Sequence, residues 1–155
     1  MLDDLYTKEV LRAAAMISRV GRLDNPQASA SRVSPVCGSK ITVDVCITDG
    51  AISDYAQDIH ACALGQSAAS IVASHIIGTT PKDVASVAAN MRAMLLDGAA
   101  PPVGTWVDLA ILQNVKGHKA RHGAVMLALE ATLEATSQIS GIDYDDKNER
   151  LTRKA

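Results

Sequence analysis

Three short stretches carry side chains able to do chemistry, and each falls at the end of an expected element. Cys37 lies in Ser34-Pro35-Val36-Cys37-Gly38-Ser39-Lys40, a Pro/Gly loop just before an alternating strand. Cys62 lies in His60-Ala61-Cys62-Ala63-Leu64-Gly65-Gln66-Ser67-Ala68-Ala69-Ser70, at the start of a small-residue helix. His122 lies in Lys119-Ala120-Arg121-His122-Gly123-Ala124, at the start of another. A thiolate is both a nucleophile and a metal ligand, and its pKa falls at helix N-termini and beside cations. Two cysteines and a histidine suit zinc or an iron–sulfur cluster. Spacing alone leaves the matter open. The chain has no C-x-x-C, no H-E-x-x-H, no P-loop and no Rossmann glycine pattern, and a buried structural cysteine is the commoner outcome.

The elements that must position these residues follow from periodicity. Residues 3–20 place Leu5, Tyr6, Val10, Leu11, Ala14, Met16, Ile17 and Val20 near helical spacing, with Asp3 and Asp4 at the positive end. Gly21, Asn25 and Pro26 stop that helix, and 22–36 reads as a turn-forming loop with room for a short strand around Ala30 to Val33. From Lys40, Ile41, Val43, Val45 and Ile47 alternate with Thr42, Asp44, Cys46 and Thr48, which predicts a half-buried strand with Cys46 a bystander on its polar face. Asp49-Gly50 is a type I′ hairpin signal, and Ala51 to Ile59 returns.

Residues 62–77 then read as a helix ended by Gly78. A second helix runs from the Thr80-Pro81-Lys82-Asp83 cap to about Leu96. Asp97-Gly98 and Pro101-Pro102 mark a loop, Trp106 to Gln113 a short helix, and a last long helix begins near Arg121 or His122 and runs to Ile139. Helix, hairpin and several helices predict an α+β fold, with a small antiparallel sheet of about three strands packed by helices on one face. Residues 1–142 read as one domain and 143–155 as a charged, frayed tail.

Composition narrows the function classes. The 155 residues suffice for one core, and 48% are hydrophobic, yet there is no Phe and only one Trp, so close helix packing through Ala is expected. A net charge of −2 leaves no electrostatic footprint for nucleic acid. No apolar run approaches the ~20 residues that span a bilayer. The N-terminus lacks a basic start and apolar block, and three cysteines suggest no disulfide framework, so the expectation is a cytoplasmic protein without a membrane partner.

The order of the motifs adds a resemblance. Pro35-Val36-Cys37-Gly38 before a strand and hairpin, then Cys62 opening the helix that carries Gln66-Ser67-Ala68-Ala69-Ser70, resembles the IscU/NifU/SufU family of iron–sulfur cluster assembly scaffolds over roughly residues 3 to 138. The Gln66–Ser70 segment, and Asp108-Leu109-Ala110-Ile111-Leu112 ahead of Lys119-Ala120-Arg121, look most like the SufU branch.

The resemblance implies Cys37, Cys62 and His122 as ligands, and a 2Fe–2S cluster or zinc as cargo. It implies a cysteine desulfurase and apo iron–sulfur acceptor proteins as partners, and leaves room for a homodimer sharing ligands. Two departures stand out. The family has a third cysteine where this chain has Gly123, and an aspartate where it has Ser39. At most three ligands and two negative charges remain, so metal affinity is expected to be low and pH-dependent.

The scaffold and sulfur-acceptor reading therefore stands beside that of a degenerate paralogue, a metal-free adaptor or regulator. A Cys/His enzyme lacks any identifiable oxyanion donor, and a non-enzyme is expected. Of the remaining groups, His60 is close enough in sequence to tune Cys62, His75 reads as packed or half exposed, His118 sits in irregular chain, and Arg121 is placed to orient an anionic sulfur species.

Overall fold

The computed structural model describes residues 4–140, 142–144 and 151–153. Its order is α1 (Lys8–Ala15), β1 (Ala28–Val33), β2 (Lys40–Thr48), β3 (Ala51–His60), α2 (Ala63–His75), α3 (Pro81–Asp97), a 3₁₀ stretch Gly104–Gly117, a 3₁₀ turn Lys119–Arg121, α4 (His122–Ser140), then β4 (Ile142–Tyr144) and β5 (Leu151–Arg153). The first three strands form an antiparallel sheet in the order β1-β2-β3, and β4 pairs with β5. Most of the expected charged tail, apart from these two strands, lies outside the described residues. No helix among the described residues is long and apolar enough to cross a membrane.

The hairpin signal holds: Asp49 and Gly50 have φ of 54° and 82°, both in the left-handed region that a type I′ turn needs. Thr80 caps α3 by accepting from Asp83 N at 3.1 Å, with Pro81 in the first turn, and Gly98 at φ 70° closes its C-terminus.

Three expected boundaries move. The first helix starts at Lys8, because Thr7 Oγ1 accepts from Val10 N at 3.2 Å and so sets the cap three residues beyond Asp4. It ends by Met16, and Arg19 at φ 57° turns the chain. The short strand is longer than expected, Ala28–Val33, because the ladder to β2 runs from Ala28↔Val45 to Val33↔Lys40. The segment 106–113 is neither short nor α-helical. Trp106, Leu109, Leu112 and Val115 are all buried and recur every three residues, the period at which a 3₁₀ helix keeps them on one face.

The core lies between the sheet and the helices. Val43, Val45 and Tyr55 point toward the helical layer, and the Tyr55 hydroxyl meets Thr132 Oγ1 of α4 at 3.2 Å. Burial without an ionic partner pushes the Tyr55 phenol up to about 12. α4 is buried on most sides, from Ala124 through Leu129 and at Ala131, Leu133 and Ala135, as expected of a central helix. One residue breaks the apolar-in, polar-out rule. Asp44, on the face of β2 away from the helices, is fully buried, because the chain after α1 folds over it.

Candidate functional site

The β ladder brings two of the three chemical stretches to one end of the sheet. Val33 pairs with Lys40 across the β1–β2 turn, and Lys40 pairs with His60 at the end of β3. The Cys37 loop, residues 34–39, and the Cys62 junction therefore leave the sheet side by side. The loop is tied by its own backbone: Ser34 N donates to Ser39 O and Gly38 N to Ser34 O, both at 2.8 Å. Gly38 sits at φ 75°, a conformation that side chains resist.

The third stretch arrives through glycine contacts. A Cβ on Gly65 of α2 would lie 3.1 Å from Ala124 O and 3.4 Å from Ala124 Cβ, so the first turns of α2 and α4 touch backbone to backbone. A Cβ on Gly123 would lie 2.5 Å from Ser34 Oγ. The start of α4 thus rests on the Cys37 loop.

Within this end, Cys37 Sγ lies 3.2 Å from Ser39 Oγ and 3.5 Å from Ser34 Oγ. Both serines are only 4% exposed, whereas the thiol is half-buried. When the sulfur is ionised, both hydroxyls donate to it. The Ser39 hydroxyl, then the Ser34 hydroxyl, draw the Cys37 thiol down to about 7 against the opposing effect of burial, with smaller help from the Ser39 backbone and the Arg121 charge. Cys62 is the N-cap residue of α2, half-buried, with its apolar surface packed on the core.

His122 opens α4 as expected, but its ring is engaged elsewhere. Nε2 lies 2.9 Å from Val115 O and 3.0 Å from Lys116 O, so a neutral ring carries its proton there and keeps Nδ1 as the free lone pair. The ring lines a cavity of about 210 Å³ between α3 and α4, with Arg92, Leu95, Leu96, Gly123, Met126 and Glu130. Among the described residues, no three His, Cys, Asp or Glu side chains are arranged to hold a metal ion. The two cysteine stretches and the start of α4 thus share one end of the fold, while the imidazole is hydrogen-bonded to the end of the 3₁₀ stretch.

Cys46 and His75 fall away from this end, whereas His60, the last residue of β3, lies at it. Cys46 lies toward the far end of β2, its Sγ 3.7 Å from Asn25 O. His60 pairs with Asp58 at 3.4 Å, and His75 pairs with Asp108 at 3.2 Å and meets the Trp106 ring edge-on. Sequence reasoning weighed Ser39 as the replacement for an aspartate and as one candidate for a fourth ligand position, and gave Ser34 no role. The available signal was the pair of serines bracketing Pro35-Val36-Cys37-Gly38.

Comparison with known proteins places this arrangement. The crystal structure of a nitrogen-fixing NifU-like protein (N-terminal) from Brucella abortus superposes with a TM-score of 0.87 at 35% identity, covering 89% of this chain and 96% of that one. A putative iron–sulfur cluster assembly scaffold protein for the SUF system from Fervidobacterium islandicum shares the fold, with a TM-score of 0.74 at 20% identity over 84% of this chain and 96% of that one. The iron–sulfur cluster assembly scaffold protein IscU of Thermotoga maritima is 24% identical over 136 residues, 88% of this chain and 95% of that protein. Residues 5–122 match the family model described as the NifU-like N terminal domain, and the chain belongs to that family.

Proposed function

We propose that this chain is a scaffold and sulfur acceptor for iron–sulfur cluster assembly, a single family domain over residues 1–142 that acts in the cytoplasm and is not itself an enzyme. The observation that carries the reading is the Cys37 sulfur, half-buried in a tied loop, with two buried hydroxyls aimed at it and the Cys62 helix start beside it. Such a thiol is ionised enough at neutral pH to act as a nucleophile, yet the hydrogen-bond partners it has among the described residues are two serine hydroxyls and not a general base.

The chemistry is sulfur transfer. Cys37 thiolate attacks the outer sulfur of a persulfide presented by a cysteine desulfurase. The donor's S–S bond breaks, a new S–S bond forms on Cys37, and the donor cysteine leaves as its thiolate. The cargo built from that sulfur, a 2Fe–2S cluster or a zinc-bearing resting form, is held by Cys37 and Cys62 and passed to apo acceptor proteins. His122 joins through Nδ1 when its ring turns toward the thiols, and a second copy of the chain can supply further ligands. The resemblance to the T. maritima scaffold supports this assignment.

Iron and acid-labile sulfide in anaerobically purified protein test it. Stoichiometric iron and sulfide in the wild type, lost in Cys62→Ala and in Cys37→Ser, are expected. A double Cys37→Ser, Cys62→Ser protein that bound metal and accepted sulfur like the wild type would refute it. A second reading, a metal-free adaptor, is favoured by Gly123 and by the lack of a three-ligand group among the described residues. Partner binding indifferent to Cys37→Ser, with no metal in either protein, would establish that one instead.

A further inference from the structure

Gly123 occupies a place that a glycine does not explain by itself. It lies in the first turn of α4, where its φ is unremarkable and where glycine costs about 1 kcal/mol relative to alanine. The missing side chain is explained by Ser34. A Cβ at position 123 would meet Ser34 Oγ at 2.5 Å and Ser34 Cβ at 3.2 Å, with Ser34 Cα at 4.0 Å. Turning the serine about χ1 would relieve the contact with the oxygen but take the hydroxyl off Cys37, and Ser34 Cβ, at 3.2 Å, would still have to give by a few tenths of an ångström. Ser34 is 4% exposed, so it has little room to retreat. The same oxygen is 3.5 Å from Cys37 Sγ, so any side chain at 123 would project straight at the thiol loop.

We propose that Ser34 is a specificity-determining residue, a plug interlocked with Gly123 that keeps this end of the fold at two thiols and puts neutral oxygen beside Cys37. The inference rests on reading the thiol end as the cargo site, and goes beyond it by naming what limits the site's donor set. Ser34 and Ser39 each present a hydroxyl oxygen and no charge, so the donors around Cys37 are one thiolate and two weak oxygens. Soft ions favour thiolate, and a set poorer in thiolate holds them less tightly and exchanges them faster. The plug therefore biases the site toward release and toward sulfur carried on one cysteine, and away from a closed three-thiolate cage.

The interlock is testable by counting thiolates on cobalt(II), added as the chloride under anaerobic, reducing conditions, with circular dichroism to confirm folding. The thiolate-to-cobalt charge-transfer absorbance per bound cobalt rises with the number of thiolates. Gly123→Cys with Ser34 retained is expected to show the wild-type intensity, because the plug holds the new thiol off the site. Ser34→Gly combined with Gly123→Cys is expected to show about 1.5 times that intensity, the ratio of three thiolates to two. Ser34→Cys, which leaves Gly123 untouched, is expected to gain as much and decides the matter if a variant at 123 does not fold.

A gain in Gly123→Cys alone, or no gain in folded Ser34→Cys, would overturn the proposal. Failure of the cargo reading looks different. A wild type silent toward cobalt beside a Ser34→Gly, Gly123→Cys protein with a strong band would remove the wild-type cargo role and leave Ser34 as the residue that limits the site.

Discussion

Asp44 and Cys37 are both acids held by serine hydroxyls, one within β2 and the other in the loop that leads into it, and the fold treats them in opposite ways. The Asp44 carboxylate is fully buried. It accepts from Arg22 Nε at 2.7 Å and Nη2 at 3.1 Å, from Leu23 N at 3.0 Å and from Ser29 Oγ at 2.5 Å. Burial pushes its pKa up, but these donors and the Arg22 charge outweigh that and hold the carboxyl below its ordinary value. Cys37 has two weak hydroxyl donors, a distant cation and an open side. A charge with all its lone pairs occupied ties two segments together and has nothing left to offer a ligand. A charge only half provided for remains a reagent. That difference separates the part of the polar chain that builds this fold from the part left open to a ligand.

Removing the saturated acid is expected to have the largest effect. Asp44→Ala leaves Leu23 N and Ser29 Oγ without their acceptor, while the half-exposed Arg22 turns to water, and is predicted to cost about 2–4 kcal/mol, read by urea unfolding at pH 7. The pH dependence has a definite sign. A carboxyl whose folded pKa is depressed stabilises the fold above its unfolded pKa, about 3.9, and that contribution is lost as pH falls through the lower folded value. Wild-type stability is therefore expected to drop below about pH 4, and Asp44→Asn to show a shallower drop. An equal slope in both proteins would mean that Asp44 is not the clamp described.

The thiol end is positioned by close backbone contact instead of charge, and Gly65 tests that half of the contrast. Gly65→Val must fit Cγ atoms into a space where even a Cβ would lie 3.0 Å from Ala61 Cβ and 3.1 Å from Ala124 O. A loss of about 1–3 kcal/mol is predicted. Metal and sulfide content should fall at temperatures where the variant is still folded, because α2 and α4 are forced apart at the site itself. Unchanged cargo in a folded Gly65→Val protein would show that the spacing of these two helices does not set the site.

How much of this was legible in the sequence depended on whether the signal was local. The β2–β3 hairpin, the Thr80 cap and the Cys62 helix start are decided within a few residues, and the structure has them where periodicity and turn chemistry put them. The three-residue recurrence of Trp106, Leu109, Leu112 and Val115 was also present, but over so short a window it reads as an ordinary amphipathic helix. Asp44 alternates with valines as a solvent-facing residue should. Only the return of Arg22 across the sheet buries it, and that contact joins segments far apart in the chain. The site divides the same way. That the cysteine stretches and His122 fall at element ends was legible from motif, while the ring's turn toward Val115 O and the fit of Ser34 against Gly123 depend on where three elements meet.

A half-provided charge should also be easy to retune. Replacing both hydroxyls, in Ser34→Ala combined with Ser39→Ala, removes the two leading reasons that the Cys37 thiol lies at about 7. Near pH 7 about half of the wild-type thiol is ionised, against a few per cent for an ordinary cysteine of pKa about 8.5. Alkylation of Cys37 by iodoacetamide, followed by peptide mass spectrometry, is predicted to slow about tenfold at pH 7, with the two proteins converging near pH ~9.5. A uniform slowing across all pH values would instead indicate that the substitutions only closed off access to the sulfur.

The smallest effect is expected from the most conspicuous charges. Arg32 of β1 reaches Glu134 at 3.3 Å and Glu130 at 3.5 Å on α4, and Arg92 of α3 reaches Glu130 at 3.4 Å. On paper this network joins sheet to helices as Asp44 joins sheet to loop. Yet Arg32 is 41% exposed and Glu134 45%, so water solvates both partners before and after they meet. Each long side chain also loses rotamer freedom in pairing. Arg32→Ala is therefore predicted to cost less than about 1 kcal/mol, and less again in high salt. A loss comparable to that of Asp44→Ala would mean that ion pairing, and not the saturation of a buried acceptor, is what fastens this sheet to its surroundings.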